Sequence, residues 1–226
     1  GTAVPSVIET VVFHTVDDSQ YTQVFFTPAV PAPVPTVVYV NDDWAGTGLG
    51  TDPDAVYGNG NVFGVDAFAT IQDAVNAVAV GATIYVLNGT YDEAVLVNKD
   101  NLTIEYLNSM AEPVDPNSAT EAIVTRTTGL GQALVTVEAS GVTLDGLTYV
   151  VNQPFAVVGV YMGPTAVNAY DNLTVTNSEF RIIGPATDNA ANAYIGFGTS
   201  SMAIAVNGQG TYPNNPTVTI TNNDIL

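Results

Sequence analysis

Cysteine is absent from the 226 residues, which excludes disulfides and thiolate metal sites. Basic side chains are almost absent: Lys99, Arg126 and Arg181 stand against 22 acidic residues, for a net charge of -19. Three cations cannot replace the counterions of a nucleic-acid backbone, so nucleic acid is excluded as a partner. An anionic membrane surface is disfavoured by the same field. There is no apolar run of 18 residues, so no transmembrane helix is expected and no membrane insertion. Gly1 is not followed by a charged n-region, and a secreted, extracellular or cell-surface protein without its leader is expected. Histidine occurs once, at His14. Charged residues make up 11%, about half the usual share of roughly 25%, while 46% are hydrophobic. Such a chain can bury a substantial core.

What is present is a series of short apolar strands. Residues 6–27, "SVIETVVFHTVDDSQYTQVFFT", read as two strands around a polar turn. Val7, Val11 and Phe13 fall on one face, and Ile8, Val12 and Val16 on the other, so both faces are apolar. Four prolines follow within residues 28–35, a stiff segment that cannot donate to a β-ladder. The expectation is an N-terminal β arm and tether over 1–36 and a single domain over 37–226.

Within "DAFATIQDAVNAVAVG", Ile71, Ala74, Val75 and Val78 recur at helical spacing. A helix is expected near 67–79, or from Thr70 if Thr70 and Asp73 form a capping box. Beyond Gly81 a short motif recurs instead: "LTI" at 102, "VTL" at 142, "LTV" at 173 and "VTI" at 218. The intervals are 40, 31 and 45 residues, too uneven for a propeller. Apolar residues pointing in and Thr pointing out suit a parallel β-helix whose loops vary in length. "TIYV" and "AVLV", at 83–86 and 94–97, are expected as two sides of one coil with Asn88-Gly89-Thr90 at the corner.

Residues 66–104, "DAFATIQDAVNAVAVGATIYVLNGTYDEAVLVNKDNLTI", resemble the first coil of right-handed parallel β-helix proteins of the pectin-lyase-like fold. The flanking "VYVNDDWAGTGLGTDPD" at 38–54 looks like the bacterial surface-protein variety. The resemblance implies an all-β, right-handed solenoid capped by the helix near 67–79. It also raises polysaccharide lyase or hydrolase activity, for which the residues speak weakly. Lyase chemistry needs a basic side chain as proton acceptor, and an arginine near its ordinary value is a poor one. His14 lies in the arm, and Asp17-Asp18 and Asp42-Asp43 lie outside the repeating strands. Glu179 and Asp224 occupy matching places in successive motifs and are expected to stack as a solvated ladder.

Two expectations remain. Asp42, Asp43, Asp52, Asp54 and Asn59 supply hard oxygens in one Gly-rich loop, suited to Ca²⁺, the natural counter-charge here. The apolar arm residues Val7, Ile8, Val11, Val12, Phe13, Val24, Phe25 and Phe26, and the last motif's Val218, Ile220, Ile225 and Leu226, are expected at an interface. The reading is a non-enzymatic structural protein whose partner is itself, building a filament or surface array by head-to-tail stacking and strand addition of the arm. The alternative is a β-helix adhesin or carbohydrate-binding fragment with extracellular glycans as partners.

Overall fold

A computed structural model describes residues 33–54, 60–109, 112–113, 121–129, 132–152, 155–163, 170–183, 202–206 and 217–226. The chain divides into two units, Gly1–Pro33 and Val34–Leu226, and the arm expected over 1–36 lies almost wholly outside the described residues.

The second unit is predominantly β. It begins with β1 (Val37–Val40), a 3-10 turn η1 (Asp42–Trp44), β2 (Ala67–Phe68) and helix α1 (Ile71–Ala77). A first circuit follows: β3 (Thr83–Val86), β4 (Gly89–Asp92) and β5 (Val95–Val97). The second contains β6 (Thr103–Ser109), the short β7 (Glu112–Pro113), β8 (Ala122–Thr125) and β9 (Gln132–Val137). The third is β10 (Thr143–Asp145), β11 (Thr148–Asn152) and β12 (Ala156–Met162). The fourth is β13 (Leu173–Thr176), β14 (Glu179–Ile183) and β15 (Met202–Val206), and β16 (Val218–Thr221) and β17 (Asp224–Ile225) open a fifth.

These strands form three sheets, visited in the same cyclic order on every circuit. Sheet one runs β16-β13-β10-β6-β3-β1-β2, sheet two β17-β14-β11-β8-β4 and sheet three β15-β12-β9-β5. Every pairing along these sheets is parallel; β7 adds antiparallel to β6. The arrangement is compatible with a β-helix or solenoid.

Alternation explains the core. In sheet one Val38, Ile84, Ile104, Leu144 and Val175 share a column pointing inward and are all buried. Thr83, Thr103, Thr143, Thr174 and Thr219 share the adjacent outward column. In sheet two Tyr91, Val124, Tyr149 and Phe180 form the inward column, with Tyr149 stacked on Phe180 at 4.8 Å. The uneven motif spacing is thus absorbed between strands, as expected, while the register holds.

Left-handed residues mark both corners of sheet one. Gly81, Asn101, Gly141 and Asn172 precede it, and Gly146, Asn177 and Asn222 follow it, all with positive φ. Gly and Asn are the residues that occupy this region at least cost. The Asn-Leu-Thr triplets at 101 and 172 follow from this geometry: a left-handed corner, an inward Leu and an outward Thr.

Two expectations are corrected. Of the two helix starts expected, the one near 67 is corrected and the one at Thr70 holds: Ala67 and Phe68 pair in parallel with β1, and Thr70 Oγ1 accepts from Asp73 N–H as the N-cap. Gly89-Thr90 is not a corner between two sides, because Gly89–Asp92 is itself a strand and each circuit has three sides.

Candidate interaction surface at the last circuit

The inward columns change character at β16 and β17. Val175 is fully buried, whereas its neighbour in register, Ile220, is 50% exposed. Phe180 is fully buried, whereas Ile225 is 50% and Leu226 69% exposed. Val218 remains partly buried against the core. Thus Ile220 and Ile225 are core-column side chains in contact with solvent, while Leu226, one residue on, falls on the alternate face. Both strands terminate their sheets among the described residues, and an edge strand presents unpaired backbone groups. The arm residues Val7, Ile8, Val11, Val12, Phe13, Val24, Phe25 and Phe26 lie outside the described residues.

The opposite end is built differently. Asp42 Oδ2 accepts from Thr90 N–H on β4, and Gln72 bonds both main-chain groups of Leu96 on β5. Those strands terminate sheets two and three. Glu93 accepts from the N–H groups of Ile71 and Gln72 at the start of α1, and Lys99 Nζ donates to the Asn76 and Val78 carbonyls at its end. Carboxylate and ammonium each meet the helix terminus of opposite partial charge. These contacts join residues 21 to 48 positions apart, so no local pattern announces them.

The Ca²⁺ ligand set divides. Asp42 is committed to β4, Asn41 Oδ1 accepts from Asp43 N–H, and Asp52 Oδ1 accepts from Asp54 N–H. Burial, followed by the Asp52 carboxylate, raises the Asp54 carboxyl. Asn59 lies outside the described residues. Among the described residues no three His, Asp or Glu side chains converge to hold a metal ion.

All three basic side chains are engaged. Arg181 donates to Glu121 at 2.6 Å and to Glu179, and those hydrogen bonds raise its already high value. It is held as a cation and is a poor proton acceptor. Arg126 Nε donates to the Thr128 carbonyl. Lys99 is lowered by desolvation, with its ammonium against two carbonyls of α1. Glu179 and Asp224 are in register as expected, but Glu179 is buried and ion-paired where a solvated ladder was expected.

An open groove of about 340 Å³ beside α1 is lined by Leu49, Phe63, Phe68, Asp73, Asn76 and Ala77. It carries a single carboxylate, Asp73, where glycoside hydrolysis uses a pair. No described helix is long and apolar enough to cross a membrane. Comparison with protein-family models, curated proteins and solved structures finds no match for this chain.

Proposed function

We propose that this chain is a non-enzymatic structural subunit, extracellular or at the cell surface, that assembles with copies of itself into a filament or surface array. The cyclic, parallel strand order supports reading the second unit as a right-handed parallel β-helix of the pectin-lyase-like type, with α1 as its cap. The observation that carries the assembly reading is the exposure of Ile220 and Ile225 at positions whose neighbours in register are fully buried. Covering each such side chain contributes roughly 1.5–3 kcal/mol at full burial, and the edge backbone adds hydrogen bonds. Sedimentation of the full chain over a range of concentrations tests this. Assembly that Ile220→Asp and Ile225→Asp abolish is expected; a monomer at every concentration sinks the proposal. In a longer chain further circuits would cover the same residues, and that monomer is the outcome they predict.

Tyr39 and Tyr85, stacked at 5.5 Å in the outward column of sheet one, favour a second reading as a glycan-binding adhesin. Retention of the chain on immobilised acidic and neutral polysaccharides, lost in Tyr85→Ala, would support it. Ca²⁺ on the 41–59 loop belongs to the same proposal. Chelator should lower the melting temperature, and identical melting curves remove the ion from the scheme.

A further inference from the structure

Carboxylates tie each later circuit to an earlier one. Asp92, at the end of β4, accepts from both the N–H and the hydroxyl of Thr127 in the second circuit. Asp100 accepts from Ser140 N–H at 2.8 Å, and the Ser140 hydroxyl accepts from Asp171 N–H at 3.1 Å. Asp171 accepts in turn from Asn172 N–H and from Thr217 N–H, where the fifth circuit begins. Asp100, Ser140, Asp171 and Thr217 thus form one polar ladder along the corner that leads into sheet one. Its rungs cross 40, 31 and 46 positions. Across sheet two, Arg181 of the fourth circuit pairs with Glu121 of the second.

The first end is closed by groups of another kind. Gln72 holds Leu96 through its amide, and the Tyr91 hydroxyl donates to the Val40 and Leu87 carbonyls. Main-chain N–H groups of Ala79 and Thr83 donate to the Pro35 and Thr36 carbonyls, both at 2.9 Å. None of these bonds is lost in acid. Glu93 at the start of α1 has its carboxyl raised by burial, with Asp73 adding to the effect, so acid removes a desolvated charge there. Asp42, bound to Thr90 N–H, is the exception at this end.

We propose that the stack has an acid-opened edge: protonation of Asp92, Asp100 and Asp171 releases the second to fifth circuits at these corners, while the sheets and the α1 end stay closed. Two groups set the sign. The Thr127 hydroxyl and N–H, and then Arg126, hold the Asp92 carboxyl below its ordinary range. Hydrogen bonds from Thr217 and Asn172 do the same for Asp171, whose partners are neutral. A carboxyl lowered in the fold contributes stability above its unfolded value, near 3.9, and loses it as pH falls through the folded value. Both carboxylates lie near solvent, so each contact is screened and its loss is local. Acid also discharges a chain of net charge -19, which relieves repulsion between circuits built on buried apolar columns. Opened corners on an intact stack are the result.

Hydrogen exchange of the full chain, resolved by residue between pH 7 and pH 2, tests this. Protection is taken relative to each amide's intrinsic rate. The N–H groups of Thr127, Ser140 and Thr217 should lose roughly fivefold in protection, the net worth of one hydrogen bond. The Leu96 N–H and the strand amides of sheet one should hold theirs. In the double variant Asp92→Asn with Asp171→Asn the side chains accept without titrating, so Thr127 and Thr217 should stay protected at pH 2. Uniform loss over all amides, loss first at Leu96, or equal loss in wild type and variant overturns the proposal. If circular dichroism shows the variant unfolded, the wild-type midpoints decide. Thr127 and Thr217 must open below about pH 3.9, and midpoints above it overturn the assignment to these carboxylates.

Discussion

Gln72 and Leu96 are paired as two strands would be, although one belongs to a helix. The Leu96 N–H donates to Gln72 Oε1 at 2.6 Å, and Gln72 Nε2 donates to the Leu96 carbonyl at 3.4 Å. The side-chain amide stands in for the missing neighbour of β5, the terminal strand of sheet three. Gln72→Ala removes both bonds and should cost about 1–2 kcal/mol in urea denaturation. Gln72→Glu, which cannot donate, should fall between the two. An unchanged midpoint for the alanine variant would show that solvent replaces the amide at no cost.

Glu93 sets a pH dependence of defined sign. Burial raises its carboxyl, only partly offset by the N–H groups of Gln72 and Ile71. A carboxyl raised in the fold contributes stability below its unfolded value, near 4.3, and loses it as pH rises through the folded value. Glu93→Gln does not titrate. The stability of wild type relative to that variant should therefore decline between pH 4 and pH 8, and a relative gain over that range contradicts the assignment.

Arg181 neutralises two carboxylates that approach it from different circuits. Glu179 is 5% exposed, so Arg181→Ala strands a nearly buried charge. The loss should be about 2 kcal/mol, short of the ~3–5 of a fully buried pair because a third of the Arg181 side chain is exposed. Adding Glu179→Gln to Arg181→Ala should recover part of it. A double variant no more stable than the single one would place the cost elsewhere.

Tyr149 is fully buried, and its hydroxyl has no hydrogen-bond partner among the described residues. Replacing an unpaired polar group by an apolar isostere is neutral or favourable. Tyr149→Phe keeps the stack on Phe180 and should be unchanged to about 1–2 kcal/mol more stable. A loss of similar size would reveal a bonded hydroxyl.

With every basic side chain engaged inside the fold, the remaining acids repel one another. Glu105 and Asp145 are adjacent in register on sheet one, and burial together with Asp145 raises the Glu105 carboxyl. Sodium chloride raised from about 0.01 M to about 1 M shortens the screening length from roughly 30 Å to 3 Å. The melting temperature should rise over that range. A fall would mean that attractive pairs outweigh the net charge.

Sheet one was legible because apolar residues alternate with Thr in its motif, whereas the left-handed Asn and Gly that mark several of its corners were not read. Leu102, Val142, Leu173 and Val218 align in register as read, despite intervals of 40, 31 and 45 residues. Sheets two and three carry weaker signals. "GTYD" reads as a turn because Gly and Thr do, yet its Tyr91 is a core residue. "AVVGVYM" contains Gly159, where a Cβ would lie 2.6 Å from the Ala203 carbonyl oxygen, so a residue that weakens strand propensity is required by close approach of the next circuit. The pairings that hold the first end were out of reach of any local pattern. Asp42 meets Thr90 across 48 positions, and Gln72 meets Leu96 across 24.

One corner is constant from the third circuit on, whereas in the second circuit residues 110–121 lie between β6 and β8. Asp145 and Thr148, Thr176 and Glu179, and Thr221 and Asp224 each end a sheet-one strand and begin a sheet-two strand three residues later. From the third circuit on, the growth in circuit length falls on the other two sides. Foreign peptides grafted into those sides would hang outward as loops while the neighbouring strands keep their partners. The same graft between Asp145 and Thr148 would lengthen a corner that the two following circuits keep tight.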